Sequence, residues 1–220
     1  MSPAESLTFL ERAAANEPDG LLVLHHGRGT DERDLLGLAD ALDPAGRLLV
    51  ITPRAPLALP GSPGYHWYLV PRVGYPDPET FQAARAALAD LHDRLWEDTG
   101  VDPARTVLGG FSMGAVMSHA MALGADRPRV AGILAFSGFV PVVDGWRPRL
   151  EDRQETSAFI AHGRADPVIE VGFGRRARDL LEGGELEVEY RESDVGHQID
   201  PANLPPAVEW LGKVVPAPAG

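Results

Sequence analysis

The chain of 220 residues contains no cysteine. Disulfide bonds, thiolate metal sites and a cysteine nucleophile are therefore excluded. The sequence also lacks any stretch that approaches the ~20 consecutive apolar residues of a membrane span, so we expect none. Its first twenty residues carry acidic side chains and no long apolar run, so we expect no signal peptide there and a cytoplasmic protein.

Positive charge is also scarce, because 20 Lys and Arg residues stand against 32 Asp and Glu residues, for a net charge of -12. With no basic stripe to neutralise phosphates, the sequence argues against a nucleic-acid partner and against an anionic membrane surface. Acidity of this size mainly favours solubility. The length fits one domain over residues 1–220, with a loose tail at 215–220.

Patterns that hold metal ions or nucleotides are missing too. None of the seven histidines stands at the spacing of zinc ligands. Gly27 and Gly29 precede a helical segment as in a phosphate loop, but their spacing matches neither the dinucleotide nor the Walker pattern. We therefore expect no metal ion and no cofactor.

What the chain does contain is an alternation of apolar runs and amphipathic segments. Apolar runs predict strands in LLVLHHG (21–27), RLLVITPRA (47–55), RTVLGGF (105–111), VAGILAFSG (130–138), SAFIAHG (157–163) and ELEVEYRES (185–193). Helical spacing and end signals predict helices from Thr30 or Asp31 to Leu42, from Asp77 to Gly100, from Ser112 to about Leu123, over 170–182, and from 203–206 onward. This order predicts an α/β fold, a mainly parallel sheet covered by helices on both faces.

Three polar residues follow predicted strands and would meet at one edge of that sheet. Ser112 lies between strand and helix in VLGGFSMGA, Asp166 follows a later strand in HGRADPVI, and His197 follows the last strand in SDVGHQI. A serine hydroxyl needs a neighbouring base, histidine suits that role near neutral pH, and a carboxylate orients the imidazole. Their order and placement predict a nucleophile, an acid and a base.

Such chemistry also needs two N–H groups that face the developing oxyanion. Met113 opens a helix directly after the serine, so its backbone N–H is free to serve. The loop HHGRGTDE (25–32) offers the second donor through the main chain of Arg28, since Gly27 and Gly29 allow a close approach.

Other readings of the polar residues stay open. Asp144, in the loop after the fourth predicted strand, is a rival for the acid, whereas Asp194 is better explained as a turn former. One of the adjacent residues His25 and His26 would shape the oxyanion loop. His162 would support the acid loop.

Aromatic and apolar residues follow two predicted strands on either side of the serine. We predict that a substrate pocket is lined by Trp67, Tyr68, Phe139 and Val140. Equally well, these side chains would pack their loops against the hydrophobic core.

Together these motifs resemble the phospholipase/carboxylesterase branch of the α/β-hydrolase superfamily, which includes acyl-protein thioesterase-like enzymes. The resemblance spans nearly the whole chain and lies in LHHGRGTDERDL, GGFSMGA, AFSGFVP, HGRADPVI, GHQI and HWYLV. They are similar to the family's oxyanion segment, nucleophile elbow, S-G-x-x-P stretch, acid loop, base loop and cleft-lining aromatic segment.

By position, the resemblance implies Ser112 as nucleophile, Asp166 as acid, His197 as base, and Arg28 and Met113 as oxyanion donors. Many members have glutamine where this chain has Met113, which a backbone donor tolerates. The short N-terminal part implies a reduced leading strand around 7–12. The short connection after the fourth predicted strand excludes a large lid domain.

The sequence thus predicts a serine hydrolase of carboxylic esters or thioesters with short to medium acyl chains, acting through an acyl-enzyme. Alternatives are an acyl-protein thioesterase, a lysophospholipase, or a non-catalytic small-molecule binder on the same fold. The expected partner is a small-molecule ester or thioester. The oligomeric state stays open, a homodimer included.

Overall fold

The computed structural model describes residues 6–218, and their strands and helices alternate along the chain. The strands are β1 (Phe9–Arg12), β2 (Gly20–His25), β3 (Leu48–Pro53), β4 (Leu57–Ala58), β5 (Tyr65–His66), β6 (Thr106–Phe111), β7 (Gly132–Phe136), β8 (Ser157–Gly163) and β9 (Val188–Ser193). The α-helices are α1 (Ala39–Leu42), α2 (Pro78–Thr99), α3 (Met113–Ala122), α4 (Val171–Gly183) and α5 (Leu204–Val214). No helix in the described range is both long and apolar enough to cross a lipid bilayer.

Seven strands form one sheet in the order β1-β3-β2-β6-β7-β8-β9. All neighbouring pairs run parallel except β1, which pairs antiparallel with β3 at the edge. The reduced leading strand predicted near residues 7–12 is therefore the four-residue edge strand β1. β4 and β5 form a separate two-stranded hairpin that leaves the carboxyl end of β3.

Helices cover both faces of the sheet, as the alternation predicts. One apolar cluster lies between the sheet and α2, α3 and α4, with Phe81, Met117 and Leu181 among its members. The other lies under α1 and α5, where Leu42 and Trp210 are buried. The central strands β2, β3, β6, β7 and β8 are buried almost throughout, which explains their continuous apolar sequences.

The long helix α2 has both predicted end signals. The Asp77 side chain accepts a hydrogen bond from the Thr80 N–H at 2.9 Å, and Pro78 occupies the first turn. Gly100 ends the helix with a φ of 68°, a left-handed conformation that glycine adopts without strain.

Two predicted boundaries are wrong. The helix expected from Thr30 or Asp31 is only a 3-10 turn at Leu36–Leu38 followed by the four-residue α1. Asp31 instead accepts the Arg33 N–H at 2.9 Å in a local turn, a bond that competes with helix formation. The tail expected from residue 215 begins later, because Val215 is buried; residues 216–218 are exposed, and 219–220 lie outside the described residues.

Candidate active site

Ser112 lies at the sharp turn between β6 and α3. Its backbone has φ 55° and ψ -120°, a strained combination for a residue with a side chain. The flanking glycines permit the turn, since a Cβ on Gly110 or Gly114 would overlap the carbonyl oxygen of His25 at the end of β2. The glycines around the serine thus allow the β6–α3 turn to pack closely against β2. They also allow the strained backbone conformation that holds the Ser112 hydroxyl at the turn.

The structure brings together the three residues predicted from the strand ends. His197 Nε2 lies 2.8 Å from the Ser112 hydroxyl oxygen, and His197 Nδ1 lies 2.7 Å from Asp166 Oδ2. Because the carboxylate accepts from Nδ1–H, Nε2 is left free to take the serine proton. The Phe111 ring packs on the imidazole at 4.8 Å between centroids and limits its movement.

The loop after β8 fixes the Asp166 carboxylate. Its Oδ1 accepts the N–H groups of Val168 at 2.8 Å and Ile169 at 2.9 Å, which leaves Oδ2 for the histidine. Burial raises the pKa of Asp166, but the hydrogen bonds from His197, Ile169 and Val168 outweigh it and hold that pKa below its usual value. The carboxylate is therefore ionised at neutral pH.

His162 supports the same loop from β8. Its buried Nε2 donates to the Ile169 carbonyl at 2.8 Å. Gly174 in α4 leaves room for the imidazole, because a Cβ there would come 2.6 Å from His162 Nδ1.

The rival carboxylates have other surroundings. Asp144 is exposed in the turn closed by the Val143–Trp146 bridge. Asp194 is exposed and pairs with Arg164 at 2.6 Å. Of the three candidate acids, Asp166 alone contacts the imidazole.

The two predicted oxyanion donors line the same cavity as Ser112. Met113 is the first residue of α3, so its N–H has no partner within the helix. The N–H of Arg28 has no acceptor among residues 6–218. Gly29, with φ 88°, turns the chain there and donates to the Tyr65 carbonyl at 2.8 Å.

Of the two adjacent histidines, His26 is the one that shapes the oxyanion loop. Its Nε2 accepts the Ala55 N–H at 3.0 Å, so the ring proton is on Nδ1, which lies 2.7 Å from the Gly27 carbonyl oxygen. Thr30 Oγ1 donates to the same carbonyl at 3.0 Å. Burial lowers the pKa of His26, although the hydrogen bond that its ring donates to the Gly27 carbonyl opposes the shift, and the lowered pKa favours this neutral form.

Trp67 does not line the pocket as predicted, because its side chain is wholly buried. Its indole Nε1 donates to the His26 carbonyl at 2.9 Å, and its backbone N–H contacts Met113 Sδ at 3.2 Å. Trp67 therefore braces both oxyanion segments from behind.

A cavity of about 760 Å³ opens beside Ser112. The predicted residues Tyr68 and Phe139 line it, together with apolar side chains that include Leu69, Val70, Val73 and Val168. Val140 lies instead in an adjoining cavity of about 510 Å³, because the chain after β7 turns toward Phe173 of α4. Gly74 and Phe139 border both cavities.

A second, smaller cleft of about 390 Å³ also borders the serine. Leu35, Leu38 and Phe111 form its apolar wall, while Ser112 and His197 border both this cleft and the large cavity. Ser112 thus borders two separate open spaces.

Sequence reasoning missed a buried ion pair that clamps the oxyanion loop. Glu32 is buried, and its carboxylate accepts from Arg54 at 2.6 and 2.7 Å. The hydrogen bond from Arg54 lowers the pKa of Glu32 to about 2, although burial opposes the shift. The only signal in the sequence is a glutamate within a charged run, which is typical of a solvated surface.

Within residues 6–218, no group of three or more potential ligands could hold a metal ion.

Known proteins resemble this chain in sequence and in fold. The sequence profile of the phospholipase/carboxylesterase family matches residues 12–215. Acyl-protein thioesterase 1 of Aspergillus fumigatus is 30% identical over 124 residues, covering 54% of this chain and 51% of that protein. Acyl-protein thioesterase 1 of Debaryomyces hansenii is 27% identical over 180 residues, covering 78% and 75%. The chain thus spans about half the length of the first relative and three-quarters of the second.

Among solved structures, the Bacillus cereus carboxylesterase superposes with a TM-score of 0.82 at 23% identity, covering 96% of each chain. This likeness concerns the fold, a mostly parallel sheet between helices. Residues 6–218 of the chain form no large lid domain over the cavity. Because the profile match covers nearly the whole chain and the folds agree, the chain has the α/β-hydrolase fold and belongs to the phospholipase/carboxylesterase family.

Proposed function

We propose that this protein is a serine hydrolase that cleaves carboxylic esters or thioesters with short to medium acyl chains. The observation that carries the proposal is the position of His197, within hydrogen-bond distance of both Ser112 and Asp166. Family membership and the names of the relatives, carboxylesterase and acyl-protein thioesterase, support the same class of reaction.

In the proposed reaction, His197 Nε2 takes the hydroxyl proton as Ser112 Oγ attacks the acyl carbonyl carbon. The N–H groups of Arg28 and Met113 stabilise the negative oxygen of the tetrahedral intermediate, each worth about 3–4 kcal/mol. The imidazolium then protonates the departing alcohol or thiol, and Asp166 stabilises its charge. Water, deprotonated by His197, releases the acid from the acyl-enzyme and regenerates the serine.

We assign the acyl chain to the large cavity and the leaving group to the smaller cleft. The large cavity has the apolar wall and the volume that a short to medium chain needs. The smaller cleft places the leaving atom beside His197, which must protonate it. The single-domain organisation, the cytoplasmic location and a homodimer stay predictions.

Replacement of the nucleophile tests the proposal. Ser112→Ala removes the attacking oxygen, so we expect p-nitrophenyl acetate hydrolysis to fall by about a thousandfold or more without unfolding the protein. A fluorophosphonate should label Ser112 of the wild type, as read by mass spectrometry. A folded wild type without adduct or turnover would favour the non-catalytic binder.

A matched pair of variants tests the acid. Asp166→Asn leaves the shape intact but disturbs the histidine tautomer, so we expect kcat to fall by about a hundredfold or more. Asp144→Asn makes the same change in an exposed turn and should keep nearly full activity. The reverse ranking would move the acid to the loop after β7.

A further inference from the structure

The arginines that line the active-site cavity differ from most arginines in the protein. Elsewhere in residues 6–218 the guanidinium groups mostly pair with carboxylates, as Arg54 does with Glu32. Arg28 and Arg72 both line the large cavity, and Arg28 also borders the smaller cleft. Neither has a carboxylate oxygen within 4.0 Å among the described residues. Both side chains are exposed, so two guanidinium groups without a carboxylate partner border the same cavity.

Arg72 is held in place without using its hydrogen-bond donors. Its guanidinium lies 3.7 Å from the centroid of the Tyr75 ring, and a backbone bridge joins the same two residues. Stacking on a ring occupies the guanidinium face and leaves its N–H edges free for an anion. Gly74 lets this turn pack against Phe173 of α4, because a Cβ there would come 2.8 Å from that ring.

The charge of the cavity wall is one-sided. No aspartate or glutamate lines the large cavity in the described part of the chain, where every other wall residue is apolar, glycine, or one of Ser112, His66, Tyr68 and His197. A wall of this kind suits a chain that is apolar along its length and anionic at its far end. A neutral chain would leave both guanidinium groups without a role.

We propose that the acyl group of the substrate ends in an anion, a carboxylate or a phosphate, which Arg28 and Arg72 bind at the cavity mouth. The inference rests on the proposed esterase function and names the substrate class for that site. The guanidinium fork matches the two oxygens of either anion. The Arg28 side chain acts here separately from its backbone N–H, which faces the oxyanion.

Matched esters test the inference on the full chain. Mono-p-nitrophenyl adipate and p-nitrophenyl hexanoate share the leaving group and a six-carbon acyl chain, and differ only in a terminal carboxylate or methyl. We expect the wild type to hydrolyse the adipate with a kcat/KM at least equal to that for the hexanoate. p-Nitrophenyl 6-phosphonohexanoate then shows whether a phosphate-like end is preferred over the carboxylate.

Variants of the arginines separate charge recognition from general damage. In Arg72→Gln the ratio of the two kcat/KM values should fall about fivefold, the size of one exposed ion pair, and Arg72→Lys should keep most of it. Arg28→Gln should lower the same ratio. Arg94→Gln, on the exposed surface of α2 and away from the cavity, is the charge-matched control and should leave the ratio unchanged.

The ratio should also shrink as salt rises from 0.05 to 0.5 M, because both guanidinium groups are exposed to screening. A wild type that strongly prefers the hexanoate, or an Arg72→Gln ratio equal to that of Arg94→Gln, would overturn the inference and leave the esterase standing. Absence of turnover on every ester, with no fluorophosphonate adduct on Ser112, would overturn both.

Discussion

At the scale of single residues, the hydrogen bonds of the Gly27 carbonyl group fix the direction of the N–H group that we propose as the second oxyanion donor. This carbonyl receives hydrogen bonds from His26 and Thr30 at 2.7 and 3.0 Å. The C=O and N–H of a trans peptide point in opposite directions, so the two bonds also fix the N–H of Arg28. The side chains of His26 and Thr30 thus position the N–H group that we propose as an oxyanion donor.

This arrangement predicts a loss of rate from a change at Thr30. Thr30→Val keeps the shape but removes one donor to Gly27, so we expect kcat to fall roughly tenfold with little change in KM. Thr30→Ser restores the hydroxyl and should restore most of the rate. Steady-state kinetics on p-nitrophenyl acetate measure both.

A remote threonine provides the control for that prediction. Thr99 Oγ1 donates to the Leu95 carbonyl near the end of α2, far from the serine. Thr99→Val removes a similar bond and should cost a little stability but no kcat. Equal losses of kcat in the two valine variants would assign Thr30 a purely structural role.

At the scale of elements, the junction of β6 and α3 depends on the absence of a side chain. A Cβ at Gly114 would overlap the His25 carbonyl, which is backbone and cannot move aside cheaply. We expect Gly114→Ala to destabilise the protein by several kcal/mol or to prevent folding, as overpacking against backbone does. Urea unfolding followed by circular dichroism measures the loss.

Gly212 is the matched control in a different helix. It lies within α5, and a Cβ there meets no atom within 4 Å. Gly212→Ala should therefore raise the free energy of unfolding by about 0.5–1 kcal/mol through the lower entropy of the unfolded chain. If Gly114→Ala were equally well tolerated, the close approach of β2 and α3 would not be required.

The success of the sequence predictions also varies by element. α2 was predictable because its apolar spacing is continuous over 22 residues and Asp77 and Gly100 mark both ends. The segment before α1 has leucines at helical spacing too, but it breaks into turns, and Asp31 makes its hydrogen bond locally. Short amphipathic segments carry too little periodic signal to outweigh such local bonds.

Some residues of the site could likewise be predicted from the sequence, and others could not. Ser112, Asp166 and His197 could be placed because each follows a strand of a parallel sheet, which brings their positions to one edge. The roles of Trp67 and Glu32 could not, because Trp67 reaches the oxyanion loop from the chain after β5 and Glu32 is paired by Arg54 from the chain after β3. Contacts between segments distant in the chain leave no local pattern in the sequence.

At the scale of the whole molecule, buried histidines tie stability to pH. His25, His92 and His119 lie in the core, and burial lowers the pKa of His25 to about 3, that of His119 to about 4 and that of His92 well below its usual value. Both ring nitrogens of His92 and of His119 lack hydrogen-bond partners in residues 6–218. All three are therefore neutral in the folded protein down to weakly acidic pH.

The unfolded chain binds protons at these histidines below a pKa of about 6.5, whereas the folded chain does not, so acid favours unfolding. Their stabilising contribution is complete above that pH and is lost as the pH falls from about 6.5 toward 4, by up to about 1.4 kcal/mol per pH unit for each histidine. The loss summed over the three histidines is comparable with the total stability of a protein, about 5–15 kcal/mol.

Urea unfolding at pH 7.5, 6.5, 5.5 and 5 should show this decline in the free energy of unfolding. His119→Leu removes one of these titrating groups and should make the decline less steep. An unfolding free energy that is equal at pH 7.5 and pH 5, or a slope unchanged in His119→Leu, would mean that the core accepts these protons without cost.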